Sequence, residues 1–238
     1  MIVQDGNDMI VQEIKPAQTP IYKMLAGRYI TLEKLSMKDV EVLYPLTHDT
    51  DELKKVWDYL PYGTFETVES MKDCYQKLLN IKEQLIFCVK NIQTKSPLGI
   101  IALIDCKPAM GNVEIGHVMY PTQHQKCAAN TEAVYLLINY CINQLDFRKI
   151  VWKCNDNNLE SKRAALRLGF EFEGVFYNHM IVKGKNRDTA WYGIIDKKWP
   201  ILAKNYECWL SAEPKLENRP SLAAMNDKVQ KYSKITLS

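Results

Sequence analysis

A carboxylate and an imidazole, Glu114 and His117, lie three residues apart in Glu114-Ile115-Gly116-His117-Val118-Met119-Tyr120. Either could take a proton from a nucleophile near neutral pH. The run alternates as a strand does, and residues of unlike parity on a strand face opposite sides. Glu114 and His117 therefore address different faces unless a bulge intervenes. Gly116 is a place for such a bulge or for close backbone approach, although a packing glycine explains it equally well. Taken alone, His117 reads better as a satisfied structural histidine than as a base.

Two further segments could hold an anion or a leaving group. Gln125-Lys126-Cys127-Ala128-Ala129-Asn130-Thr131 is a small-residue loop leading from that strand into a long apolar helix. Such a loop lets backbone N–H groups converge on phosphate oxygens, aided by the helix dipole, and Lys126 adds positive charge. An ordinary connection capped by Asn130 or Thr131 is the plain alternative. Further on, Asn158 suits a helix N-cap, and Ser161 lies one turn along the same side. Both could face one ligand, or be a cap and an exposed serine. The hairpin from Asn178 to Trp191 has a charged tip and carries His179, a third candidate base.

These residues need a scaffold, and the periodicity supplies one. Tyr29–Leu35 reads as a strand and Ser36 as the cap of a helix through Leu43. Residues 67–83 have helical spacing, opened by Thr67 or Ser70. Strands follow at Leu85–Val89, Leu98–Asp105 and Val113–Tyr120, an antiparallel meander. Then come a helix over 130–145 with Glu132 as its only charge, the short buried strand Ile150–Cys154, and a helix from Asn158 to Leu168. Phe170–Val182 and Thr189–Asp196 close the pattern as a strand pair. The strand–helix–strand unit around 130–154 requires a parallel crossover inside a mostly antiparallel sheet. The fold class is α/β.

The composition narrows the partners. The chain has 238 residues, with 31 basic and 28 acidic side chains and a net charge of +3, too small to argue for nucleic acid or an anionic membrane. Its seven cysteines show no CxxC spacing and no accompanying histidine cluster, so reduced thiols are expected and no metal site. The N-terminus has no secretory pattern and no run long enough to span a bilayer, which leads to the expectation of a cytoplasmic protein. Met1-Ile2-Val3-Gln4 recurs at Met9–Gln12, too briefly for a solenoid. Lys15–Pro20 reads as linker. Residues 1–27 are expected to be an extension, 28–210 the domain and 211–238 a polar tail, partly disordered with a weak helix near 222–232.

In order and spacing these segments resemble the GNAT acetyltransferase superfamily, most closely its RimJ/RimL-type branch. The similarity rests on the glycine-containing strand, the loop and helix, the Asn-x-x-Ser helix ending in Gly169-Phe170-Glu171-Phe172-Glu173-Gly174, and the hairpin Lys183 to Trp191. It is strong over about 98–200 and looser back to Arg28. The resemblance implies a mixed sheet splayed between its fourth and fifth strands, with the pantetheine of acetyl-CoA in the gap beside Met119 and Tyr120. Pyrophosphate would lie on the amides of Gln125, Lys126, Cys127, Ala128, Ala129, Asn130 and Thr131. Asn158 would hold pantetheine and Ser161 would bond the departing thiolate.

Two departures stand out: Ala128 and Asn130 replace the usual glycines, and Met180 falls where some relatives place a glutamate base. Glu114 and His117 are then the candidate bases. The expected activity is acetyl transfer from acetyl-CoA to a primary amine of a small molecule or a protein N-terminus, by a monomer or homodimer. An acyl-CoA-binding or regulatory module with weak turnover is the alternative, and a scaffold protein a more distant one.

Overall fold

The computed structural model describes residues 15–212 and 221–227. The Met1/Met9 repeat and most of the C-terminal tail lie outside them. The elements run β1 (Leu25–Ala26), β2 (Ile30–Lys34), α1 (Met37–Leu43), α2 (Pro45–His48), α3 (Asp51–Lys54), α4 (Val68–Leu79), β3 (Leu85–Asn91), β4 (Pro97–Lys107), β5 (Asn112–Met119), α5 (Ala128–Asn139), β6 (Lys149–Asn155), α6 (Leu159–Arg167), β7 (Glu171–Val182), β8 (Lys185–Ile195) and α7 (Trp199–Ser211).

All eight strands form one sheet in the order β1-β2-β3-β4-β5-β6-β8-β7. Every neighbouring pair is antiparallel except β5 with β6, where the chain crosses over through α5. The short β1 is an addition to the expected strands, so the expected fourth and fifth strands are β5 and β6.

The central strands are apolar on both faces because helices cover both. Leu85, Phe87, Val89, Ile101, Leu103, Val113 and Ile115 point to a core shared with α5, α6 and α7. Ile86, Cys88, Ile100, Ala102 and Met119 point to a second cluster, filled by Leu35, Val40, Leu43, Trp57, Met71 and Tyr75. Each buried Val, Leu, Ile, Phe or Met among them contributes roughly 1.5–3 kcal/mol of transfer free energy. Caps set several helix starts: Ser36 and Asp39 form a reciprocal capping box on α1, Thr67 and Ser70 another on α4, and Asn158 accepts from the Ser161 amide on α6.

Several expectations are corrected. The helix after β5 begins at Ala128 rather than 130, with Cys127 as cap and no side-chain cap bond to an amide, so neither Asn130 nor Thr131 caps it. It continues as a wider turn over Tyr140–Gln144. β8 starts at Lys185 rather than Thr189. Lys15–Pro20 does not hang free: Ala17 is buried, its amide donates to Pro108 O, and Gln18 N donates to Leu145 O. The helix expected near 222–232 is present over 222–227 of the described residues, and it is packed, with Leu222 and Asn226 buried and Asn226 Nδ2 donating to Arg167 O at 3.0 Å.

Candidate active site

The sheet opens where the parallel pair stops. β5 and β6 are in register from Asn112↔Lys149 to Ile115↔Trp152 and no further. β5 continues to Met119 and β6 to Asn155, so from Gly116 onward the facing backbone edges have no registered partner across the gap. Unpaired strand edges present N–H and C=O groups to whatever enters. Met119 and Tyr120 stand at the end of this stretch with buried side chains, and Gln125 Nε2 donates to Tyr120 O at 3.0 Å.

At the mouth of the gap lies the N-terminus of α5. Its first turn is Ala128-Ala129-Asn130-Thr131, and helix-initial amides have no partner within the helix. Lys126 and Cys127 are exposed, whereas Ala129 and Thr131 are buried. The left-handed position of the loop is Lys126, with φ 56°, so the turn is made there and not at the residues expected to replace glycines. Cys127 Sγ contacts His124 O and Asn130 Oδ1, both at 3.2 Å. Thr131 Oγ1 accepts from Arg167 Nη1 at 3.1 Å, which ties the first turn of α5 to the end of α6.

Behind that turn is Glu132. It is 3% exposed, and its carboxylate accepts from the amides of Arg28 (2.6 Å), Tyr29 (2.8 Å) and Ile30 (3.0 Å). These three donors precede or open β2, so a single acid fixes α5 to the sheet. Gly27 lies so close that a methyl there would overlap the carboxylate.

Ser161 sits on the α5/α6 side of the gap. Its amide donates to Asn158 Oδ1 at 3.0 Å, and its Oγ accepts from Trp152 Nε1 at 3.0 Å. Trp152 is the last β6 residue in register with β5. Ser161 is thus joined through Trp152 to the place where the strands part, while the Asn158 side chain caps α6.

Glu114 and His117 share the other face. Glu114 stands opposite Ile104 and Gly116 opposite Ala102, on the side of the second core cluster. Between Ala102↔Gly116 and Ile100↔Met119, two β5 residues face the single Ile101 of β4. That is a bulge, and His117 occupies its left-handed position with φ 49°. The extra residue turns the imidazole to the Glu114 side, where its Nδ1 shares a hydrogen bond with Tyr62 Oη at 3.0 Å. Burial pushes the His117 pKa down to about 4, leaving a neutral imidazole at physiological pH.

Glu114 is buried and pairs with Lys153, Oε2 to Nζ 2.7 Å. Burial raises its pKa, and the Lys153 charge opposes that rise. Lys153 also reaches Asp105 at 3.4 Å and lies 4.2 Å from the Trp191 ring centre. These groups line a cleft of about 160 Å³. His179 does not join them; its Nδ1 bonds Thr189 Oγ1 at 3.0 Å. Met180 lies opposite Arg187 at the edge of the sheet. Across the top, Lys183 Nζ donates to Trp57 O at 2.8 Å and Tyr59 Oη to Asn157 O at 3.2 Å, so the 55–63 segment is strapped to the far half of the sheet.

The sequence reading did not anticipate Lys153, Tyr62, Trp152 or Glu132. Lys153 carried a signal, a charge inside an otherwise apolar strand; so did Glu132, the lone acid of α5. Tyr62, in an irregular segment, carried none.

A mixed sheet that parts at one parallel pair, with an amide-bearing helix start at the mouth, defines an acetyltransferase of the GNAT type. The chain belongs to that family: residues 30–171 match the model described as Acetyltransferase (GNAT) domain. It is similar to the crystal structure of a GCN5-related N-acetyltransferase from Brucella melitensis, with 31% identity, a TM-score of 0.85, and coverage of 91% of this chain and 100% of that one. It is 25% identical over 187 residues to the uncharacterized N-acetyltransferase YnaD of Bacillus subtilis, covering 74% of this chain and 98% of the relative. At 18% identity and a TM-score of 0.59 it shares its fold with spermidine N-acetyltransferase from Vibrio cholerae, solved with CoA and spermine, over 73% of this chain and 99% of that one. The protein is an acyltransferase of this family. Among the described residues no helix is long and apolar enough to cross a membrane.

Proposed function

We propose that this protein transfers the acetyl group of acetyl-CoA to a primary amine, on a small molecule or a protein N-terminus, by direct attack within a domain spanning 28–210, and that it stands nearest the RimJ/RimL-type branch. The observation that carries the reading is the opening of β5 from β6 after Ile115 and Trp152. The gap gives pantetheine a strand edge to pair with at Met119 and Tyr120. The exposed Lys126 and the helix-initial amides of Ala128, Ala129 and Asn130 suit a pyrophosphate, and Ala128 and Ala129 keep side chains out of its way; the Gln125 amide is not available, because it donates to Thr122 O. Asn158 and Ser161 flank the gap on one face, Glu114 and His117 on the other. Donor and acceptor therefore arrive from opposite sides of the sheet.

In this reading the chain mainly positions the reactants, and a strand amide at the bulge offers a donor for the tetrahedral oxyanion. Glu114 is the base. Burial lifts its pKa above the ordinary carboxylate value, which makes it a stronger base than a solvated carboxylate, and Lys153 moderates the lift. His117, neutral and held by Tyr62, shapes the acceptor side. Ser161 bonds the departing thiolate.

Saturating CoA at one hundred times its dissociation constant should raise stability by about 2.7 kcal/mol. An unchanged melting temperature would remove the cofactor assignment. A panel of amines scored by thiol release from acetyl-CoA then identifies the acceptor class. On an acceptor so found, Glu114→Gln should shift the acidic limb of kcat/KM against pH. A limb that instead tracks the amine's own ionisation would show that the protein supplies no base.

A further inference from the structure

The Ser161 hydroxyl has two partners to satisfy and one proton to give. A serine hydroxyl both donates and accepts, whereas an indole N–H can only donate. The 3.0 Å contact between Trp152 Nε1 and Ser161 Oγ therefore has one polarity: the indole donates and Oγ accepts. This occupies a lone pair of the serine and leaves its O–H to be given elsewhere. The indole itself is fixed. Trp152 is 5% exposed, lies against Phe170 with ring centres 5.6 Å apart, and belongs to β6 at the point where β5 leaves it.

We propose that Trp152 is a positioning residue for the acetyl transfer, holding the Ser161 hydroxyl with its proton directed at the CoA sulfur; this rests on the reading of Ser161 given above. A donor into Oγ also polarises the O–H, so the hydrogen bond it gives is stronger than that of an isolated serine. The amine lone pair first forms the C–N bond as the carbonyl π pair moves onto oxygen; when that oxyanion re-forms the carbonyl, the C–S bond breaks. The bonding pair leaves on sulfur, and the proton lost by nitrogen goes to the base. Sulfur is then an anion facing the serine, so the bond from Ser161 strengthens as charge develops. Cys154 is the competing recipient of the serine proton, since it interacts with Ser161 from the same face of β6. Burial keeps that residue a neutral thiol, a much weaker acceptor than a thiolate.

The test needs no acceptor amine. In the complex with CoA, the pKa of the bound thiol is read from thiolate absorbance against pH, for wild type, Ser161→Ala, Trp152→Phe and the double variant. Ser161→Ala should raise the bound thiol pKa by about one unit or more, the loss of one hydrogen bond to an anion. Trp152→Phe should raise it by a sizeable part of that amount with the CoA dissociation constant within about twofold, and should add nothing in the Ser161→Ala background. A Trp152→Phe protein that keeps the wild-type thiol pKa, while Ser161→Ala shifts it, overturns the proposal and leaves the serine role standing. Equal Trp152→Phe shifts in both backgrounds overturn it too, since the ring would then act by packing alone. No shift in Ser161→Ala removes the serine role and this inference together. Should Trp152→Phe fold poorly, replacing the indole by benzothiophene removes only the N–H, and the same outcomes decide.

Discussion

Replacing Glu132 by alanine separates the carboxylate from the three amides it serves without touching the gap itself. The Ile30 amide is buried, so losing its acceptor costs about 1–3 kcal/mol. The Arg28 and Tyr29 amides are partly exposed and recover water, so each lost charge-assisted bond costs nearer 1 kcal/mol. The sum is about 3–5 kcal/mol, a large share of a stability that is typically about 5–15 kcal/mol. Glu132→Gln keeps the shape and one acceptor oxygen but turns an NH₂ toward a donor, and should cost roughly half as much. Gly27→Ala gives an independent route to the same loss, because its methyl must push the carboxylate aside.

The assay is urea unfolding, read as a shift in midpoint at constant slope. CoA affinity should fall in parallel, since Glu132 seats the turn that follows the loop amides. A Glu132→Ala protein within about 1 kcal/mol of wild type would refute the argument. So would a Gly27→Ala protein of full stability.

Lys126→Glu reverses an exposed charge at the loop and should weaken CoA binding about tenfold with the unliganded melting temperature unchanged; equal affinity would place the phosphates elsewhere. Ala129 is unsuited to the same test, because it is buried and an acidic side chain there would break the core. His117 has a folded pKa of about 4 against about 6.5 unfolded, so the unfolded chain binds the extra proton and stability falls as pH drops through that window, by up to about 3 kcal/mol. His117→Gln should flatten stability between pH 6.5 and 4, and an unaltered slope would count against the burial argument.

Much of the fold was legible because central strands covered on both faces leave unbroken apolar runs, as in Leu85–Val89 and Leu98–Leu103. Thr67 and Asn158 announced their helices through cap chemistry. α7 and the short α2 and α3 were missed, since Trp199–Ser211 interleaves aromatics with Pro200, Lys204, Asn205 and Glu207 and the 45–57 segment changes direction every few residues. The relation between Glu114 and His117 was legible only as an alternative. Parity predicted opposite faces, and a bulge with a non-glycine residue at φ 49° reversed it. Which partner holds a side chain is a tertiary fact: the pairing of Glu114 with Lys153, and of Ser161 with Trp152, depends on register between strands and helices far apart in the chain.

The strand order has a consequence for how the chain is made. From β1 to β5 each strand pairs with its immediate predecessor, so this half can assemble in chain order as it leaves the ribosome, with one long connection, α1 to α4, between β2 and β3. β6 must instead wait for a helix to form and return it alongside β5, and it finds only four residues of register there. The cleft that reads as the CoA channel is therefore the seam between an early-built half and a late-built one. An incompletely closed seam is ordinarily a hazard, an edge open to neighbouring nascent chains. On the function proposed above, the same edge is where CoA would pair, and bound cofactor would shield it once the second half arrives.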